Sequence, residues 1–158
     1  MQLEKILVPY DFSEHAEHAF TWALGLAKDW EAQITLLHVV SPFPPMATAD
    51  VMSMGAMSQL DIPKIEAEMM EDAQQRIRRV VAKHDVFTGQ VEIKAMIGEP
   101  VWDICHTAEK EHSDLIVIGS HGRTGLAHVF VGSVAERVLR HAPCPVLVIR
   151  LPHPVQKG

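Results

Sequence analysis

The run GSHGRTGLAHVFVGS, residues 119–133, holds the groups of this chain best suited to chemistry. It follows the short apolar stretch LIVI at 115–118 and ends where a helical pattern begins. A buried strand feeding a glycine-rich loop and then a helix start is an arrangement that binds phosphate. Glycine lets the backbone approach an anion with no Cβ between them, and the free amides of a helix N-terminus donate along the favourable direction of its dipole. Gly119 and Gly122 would take the close approach. Ser120, His121, Thr124 and Gly125 present amides or hydroxyls, and Arg123 supplies a guanidinium fork matched to phosphate oxygens. Ser133, Val134 and Ala135 stand in the first turn after Gly132, so Ser133 is placed both to cap that helix and to donate to a phosphate. The plainer alternative is a capped helix behind a tight turn with no ligand.

The spacing excludes the two best-known phosphate loops. No Gly-Lys followed by a hydroxyl residue occurs, so there is no P-loop. The first strand-to-helix turn, PYDFS at 9–13, has no glycine, so there is no dinucleotide fingerprint. What remains is G-x2-G-x9-G-S, and this resembles the nucleotide-binding signature of the universal stress protein family. The opening KILVPYDFSEHA, the run ITLLHVV at 34–40, the IGEP at 97–100 and the closing APCPVLVIR resemble that family in the same order. The resemblance spans nearly the whole chain apart from residues 41–61. It implies an adenine-nucleotide site, with ATP, ADP or AMP as ligand, in which Pro9 and Val39 line the adenine and Val39 contributes backbone groups. Read from side-chain type alone, both are simple core residues. Mg²⁺ would arrive with the nucleotide, held mainly by phosphates and water.

Asp11 has two readings. D-x-x-E at 11–14 resembles a capping box, although Ser13 could equally be the cap; alternatively the carboxylate accepts hydrogen bonds from ribose hydroxyls, which the neighbouring glycine loop favours. The ten histidines suggest a metal, but their spacing does not. His15 and His18 share a helix face with no third ligand beside them, and His84, His106, His112, His128, His141 and His153 are scattered and read as solvated. No nucleophile, base and orienting group stand together, so the chain reads as a binding module with at most weak ATP hydrolysis. That module would report energy or stress status to a regulatory partner. The alternatives are a slow ATPase or nucleotide-using transferase, and an interaction protein whose loop binds nothing.

Composition sets the outer limits. The 158 residues fit one domain able to bury about two thirds of its unfolded surface. An apolar fraction of 47% with 22% charged residues is that of an ordinary globular protein. A net charge of −6 and a pI near 5.9 argue against a nucleic-acid or anionic-membrane surface. The N-terminus has no long apolar segment of a signal peptide, and no apolar run approaches the roughly 20 residues of a membrane span. Cys105 in a helical pattern and Cys144 between two prolines read as reduced thiols, so the expectation is a cytoplasmic protein.

The elements that must hold these groups alternate strand and helix. Residues 5–9, 34–40, 91–97, 115–118 and 146–149 read as strands, the third half-covered and near a sheet edge. Ala16, Ala19, Phe20, Ala23, Leu24 and Ala27 form one helical stripe after Ser13 as cap. Ile65, Met69, Ala73, Ile77, Val80 and Val81 form the next, after Asp61 and Pro63; Val101, Ile104, Cys105 and Ala108 mark a third helix and 133–141 a fourth. Repeated βα units imply an α/β fold, one doubly wound parallel sheet with helices on both faces. Pattern leaves the strand order open; the family resemblance implies 3-2-1-4-5. That order would bring the ends of strands one and four to one crevice. The domain is expected over 1–151 with a tail at 152–158. The Pro- and Met-rich stretch 41–61 reads as a mobile loop, or more sharply as a lid or docking surface. The last strand carries no charge between His141 and Arg150, and an unguarded edge invites pairing, so a homodimer built on it is expected, with Val148 as the side chain to test.

Overall fold

The computed structural model describes residues 2–41, 61–84, 89–122 and 131–151. Among these residues five strands and four helices alternate: β1 Lys5–Pro9, α1 Glu14–Trp30, β2 Gln33–Val40, α2 Ile62–Val81, β3 Val91–Ile97, α3 Pro100–Glu111, β4 Leu115–Gly119, α4 Ser133–His141 and β5 Val146–Ile149. All strand pairs are parallel, in the order β3-β2-β1-β4-β5. β1 is central, and its Ile6, Leu7, Val8 and Pro9 are all buried, which is why it reads as an unbroken apolar run. The order reverses between β1 and β4, and their carboxyl ends open side by side.

Two cores form, one on each face of the sheet. On one side α1 and α2 place Ala16, Ala19, Phe20, Ala23, Ala27, Ile77 and Val80 against Ile6, Val8, Ile34, Leu36 and Val117. On the other, α3 and α4 place Val101, Ile104, Ala108, Ala135 and Val138 against Leu7, Leu37, Ile116 and Ile118. The run of alanines on α1 keeps that helix close to the sheet, with fully buried Phe20 filling the space between α1 and β1. The apolar stripe of α2 is shorter than its periodicity suggests. Ile65 is 37% exposed and burial begins only at Ala73, because the first turns of the helix run past the sheet.

Caps follow side-chain chemistry. The Ser13 hydroxyl accepts from the Ala16 N–H, the Asp61 carboxylate from the Lys64 N–H, and the Glu99 carboxylate from the Trp102 N–H at 2.7 Å. α1 and α3 both end on left-handed residues that are not glycine, Glu31 (φ 56°) and His112 (φ 54°), each followed by an N–H that reaches back into the last turn. β3 is an edge strand of partly covered residues, as its alternation predicts.

β5 forms the other edge. The Ile116 and Ser120 N–H groups donate to the Pro145 and Ile149 carbonyls, so the odd-numbered residues of β5 face β4 and the backbone groups of Val146 and Val148 face outward. The Val148 side chain, in contrast, packs against the second core. It is the backbone of Val148 that faces the open edge, so a side-chain change there tests packing more than pairing. Apart from Ser41 and Asp61, the 41–61 stretch lies outside the described residues, as do Arg123, Thr124, Gly125 and the tail 152–158. Among the described residues no helix is long and apolar enough to cross a membrane.

Candidate functional site

The crevice at the ends of β1 and β4 is a cavity of about 310 Å³. It is lined by Pro9, Tyr10 and Asp11 after β1, by Leu37, His38, Val39 and Ser41 of β2 and its end, and by Pro100 and Ile104 of α3. The fourth side is Ile118, Gly119, His121 and Gly122 with Gly132, Ser133, Val134 and Ala135. Pro9, Asp11, Val39, Gly119, His121, Gly122 and the 132–135 turn, all named from sequence, therefore meet around one space. Ser120 stands just behind it, 1% exposed, with its Oγ 3.0 Å from the His121 Nδ1.

Three glycines set the shape of the cavity, each by what a Cβ would strike. At Gly119 it would lie 2.7 Å from the carbonyl carbon of His15, so this glycine lets the first turn of α1 rest directly on the end of β4. At Gly122 it would lie 2.7 Å from Asp11 Oδ2, so the loop after β4 closes on the Asp11 carboxylate. At Gly132 it would lie 3.2 Å from the Ser120 carbonyl oxygen, which accepts the Gly132 N–H at 2.6 Å. The Gly132 backbone is extended (φ −67°, ψ 156°), so close packing and not a left-handed turn favours glycine there.

The two readings of Asp11 separate. Ser13 is the helix cap, and Asp11 Oδ1 accepts from the Ser13 N–H at 3.1 Å and from its hydroxyl at 2.6 Å. Asp11 thus braces the cap with one oxygen while the other faces Gly122. Phe12, at φ 66°, makes the reversal between them and is held by edge contacts to Tyr10 and His38 and by the Arg76 guanidinium 3.9 Å above its ring. At the other end of the loop the capping role expected of Ser133 is not taken up. Gly132 is the N-cap, no described side chain caps α4, and Ser133 is its first residue. The first amides of α4 are left without a side-chain cap at the cavity wall.

The rim of β2 offers backbone groups. β1 pairs with β2 as far as Pro9 opposite Leu37, and the Tyr10 N–H donates to the Leu37 carbonyl at 2.8 Å. Residues two apart on a strand face the same neighbour, so the N–H and C=O of Val39 point past the end of β1 into the cavity. His38 closes the adjacent corner with its Nδ1 2.6 Å from the Tyr10 carbonyl oxygen.

Several participants escaped sequence reasoning. Tyr10 and His38 line the cavity, and Glu17 holds the Tyr10 hydroxyl with one oxygen and the His84 Nε2, at 2.8 Å, with the other. His84, read from sequence as solvated, is thus a partly buried residue just after α2 that packs on α1 through Glu17 and Phe20. Burial foremost, then the hydrogen bond and charge of Glu17 and the charge of Asp11, push the Tyr10 phenol far above its ordinary range. Only the position of Tyr10 beside Asp11 signalled it in the sequence. Both cysteines are free thiols. Burial, then Glu99, raises the pKa of Cys105; burial, then Asp114 and Cys105, raises that of Cys144, which disfavours the thiolate of either as nucleophile. Among the described residues no three His, Cys, Asp or Glu side chains gather into a set that could hold a metal ion.

Comparison with known proteins agrees with this architecture. The model of the universal stress protein family matches residues 2–150. Universal stress protein MJ0531 of Methanocaldococcus jannaschii is 32% identical over 149 residues, covering 94% of this chain and 83% of that protein. The solved structure of the MJ0577 protein of the same organism superposes with a TM-score of 0.78 at 27% identity, covering 98% of this chain and all of that one. A universal stress protein from Archaeoglobus fulgidus, solved in complex with dAMP, shares the fold with a TM-score of 0.56 at 24% identity over 94% of this chain and 95% of that one. The chain belongs to the universal stress protein family.

Proposed function

We propose that the crevice binds an adenine nucleotide, ATP in the first instance, and that its occupancy makes the protein a regulatory module responding to energy or stress status. The observation that carries this reading is the closure of the Gly119–Gly122 loop on Asp11, which brings a carboxylate and a phosphate-type loop to one cavity. In this reading the base lies between Pro9 and Val39 and meets the N–H and C=O of Val39. The pair of groups suits an edge that offers an acceptor next to a donor, as adenine does. Asp11 accepts from the ribose hydroxyls. Gly119, Ser120, His121 and Gly122, with Gly132, Ser133, Val134 and Ala135 at the start of α4, surround the phosphates. The uncapped amides of that helix donate to them. Arg123, Thr124 and Gly125 complete the phosphate set by their place in the motif.

The size and lining of the cavity support a nucleoside-sized ligand, since about 300 Å³ is the lower end of the range for small-molecule sites. The A. fulgidus relative solved with dAMP supports the ligand class. Mg²⁺ would come with the nucleotide on its phosphates and water, because among the described residues lining the cavity Asp11 is the one carboxylate beside amides, hydroxyls and imidazoles. The outward backbone of β5 supports a homodimer through that edge, in a soluble cytoplasmic protein that signals to a partner protein.

The test compares ATP with its 2′,3′-dideoxy analogue on unmodified protein and on Asp11→Asn. Loss of a hydrogen bond to a charged acceptor predicts roughly tenfold or more weakening of ATP and little change for the analogue. Equal losses for both ligands would return Asp11 to a purely structural role. Failure of the unmodified protein to bind either would overturn the nucleotide reading itself.

A further inference from the structure

Two imidazoles meet beside the cavity, one of them lining it. His15, in the first turn of α1, and His121, in the loop after β4, have ring centroids 5.1 Å apart with their planes inclined by 51°. His121 lines the cavity, and its Nδ1 stands 3.0 Å from the hydroxyl of the buried Ser120. The placement of His15 is set by the tightest helix-to-strand approach in the site, since its own backbone is what a Cβ on Gly119 would strike. The pair is therefore held from both sides, by α1 on Gly119 and by the loop on Ser120.

The charged surroundings of His15 come from every side. Asp11 from the β1–α1 turn and Glu14 beside it favour the imidazolium; His121 across the gap and His18 one turn along oppose it. Burial is the largest influence, and with His121 it holds the His15 pKa below the ordinary value of 6.5. Without ligand, then, His15 is biased towards its neutral form. A phosphate brought to the same end of the cavity reverses that balance, because an anion within a few ångströms favours the charged form of each ring.

We infer that His15 and His121 form a proton-dependent anion seat at the phosphate end of the site, so that phosphorylated nucleotide binds with uptake of a proton and more tightly as the pH falls from about 8 to about 6.5. This rests on the nucleotide reading and adds a proton to it. The proton comes from solvent and no covalent bond changes. The sign follows from linkage. A ring whose pKa is raised in the complex contributes affinity that is fully present below its ligand-free pKa and is lost as the pH rises through the value in the complex. Each unit by which the ligand raises that pKa is worth about a tenfold gain at the acid end. Towards the acid end of this range the terminal phosphate itself begins to take up a proton, so the gain due to the imidazoles is read as the difference between the unmodified protein and its variants.

The experiment is calorimetric titration of the full chain with ATP and with adenosine at about pH 8, 7.2 and 6.5, in two buffers of different ionisation enthalpy. Expected are a roughly three- to tenfold tightening of ATP towards the acid end, net uptake of a fraction of a proton up to about one per nucleotide, and no comparable trend for adenosine. His15→Gln, which keeps a side-chain donor but cannot take the proton, should shrink both the trend and the uptake, and His15→Gln with His121→Gln should remove them. If the variants fail to fold, proton uptake by the unmodified protein decides. ATP affinity that stays flat or weakens towards pH 6.5 without uptake overturns this inference and leaves the nucleotide site standing. Uptake unchanged in folded His15→Gln overturns it as well, by assigning the proton elsewhere. Absence of binding by both ligands at every pH overturns the seat and the nucleotide reading together.

Discussion

Replacing Gly119 by alanine adds one methyl group where the end of β4 carries the first turn of α1. The new Cβ would stand 2.7 Å from the His15 carbonyl carbon, 2.8 Å from its oxygen and 2.9 Å from its Cβ, against 3.4–4 Å for ordinary contact. Two of the three obstructing atoms are backbone, so no rotamer change clears them and α1 must draw back by about 0.7 Å, the shortfall between 2.7 and 3.4 Å. That helix is seated by Ala16, Ala19, Phe20, Ala23 and Ala27, all buried, so its retreat loosens the first core. Forced accommodation of this kind costs about 1–3 kcal/mol, and the lower chain entropy of alanine in the unfolded state recovers about 0.5–1 of it. The net expectation is about 1–2 kcal/mol of destabilisation.

Gly25 supplies the opposite case on the same helix. It is exposed, in mid-helix, and a Cβ there would meet nothing within 4 Å. Gly25→Ala should stabilise by about 0.8 kcal/mol through helix propensity alone. The two variants make the same chemical change with opposite signs, so urea midpoints read against the unmodified protein separate them by about 1 M for an m-value near 2 kcal/mol/M. A midpoint for Gly119→Ala at or above that of the unmodified protein would refute the packing argument.

Tyr10 is the only tyrosine, so phenolate absorbance reports on it alone. Its folded pKa is raised by burial first and then by Glu17 and Asp11, so the stability it contributes is present below about pH 10 and declines as the pH rises above that value. The phenolate signal should appear only together with loss of far-ultraviolet circular dichroism, and reversible ionisation near pH 10 with the dichroism intact would contradict the buried Tyr10–Glu17 bond. Glu31→Gly should raise stability by about 0.5 kcal/mol, because glycine accepts the left-handed conformation that ends α1 at less cost than glutamate does; a lower melting temperature would show that the glutamate side chain outweighs the strain. Val148→Pro should leave a folded monomer in sedimentation, since it deletes an outward N–H of β5 while the bonds to β4 come from its odd-numbered neighbours. A folded variant that still sediments as a dimer would place the interface elsewhere, and an unmodified protein that is monomeric at all concentrations would remove the dimer proposal.

Local rules made much of this protein legible in its sequence. Helix periodicity, the caps at Ser13 and Asp61 and the buried runs of β1 and β4 are properties of a few consecutive residues, and they come out as written. The family motifs supplied the strand order that periodicity could not, and with it the reversal between β1 and β4 that opens the crevice. What required the tertiary structure are distances between residues far apart in the chain. The approach of Gly122 to Asp11, of Gly119 to the His15 backbone, and of the two imidazoles to each other depends on how closely α1 and the loop after β4 settle on one sheet end. The same holds for the docking of His84 on Glu17 and for Gly132 taking the cap expected of Ser133, where the Ser120 carbonyl accepts the Gly132 N–H and crowds any side chain. Sequence pattern records which side chains prefer to be buried, and so it finds the elements. Which donors and carboxylates share one cavity is decided by packing between elements, where a single Cβ is enough to close the space.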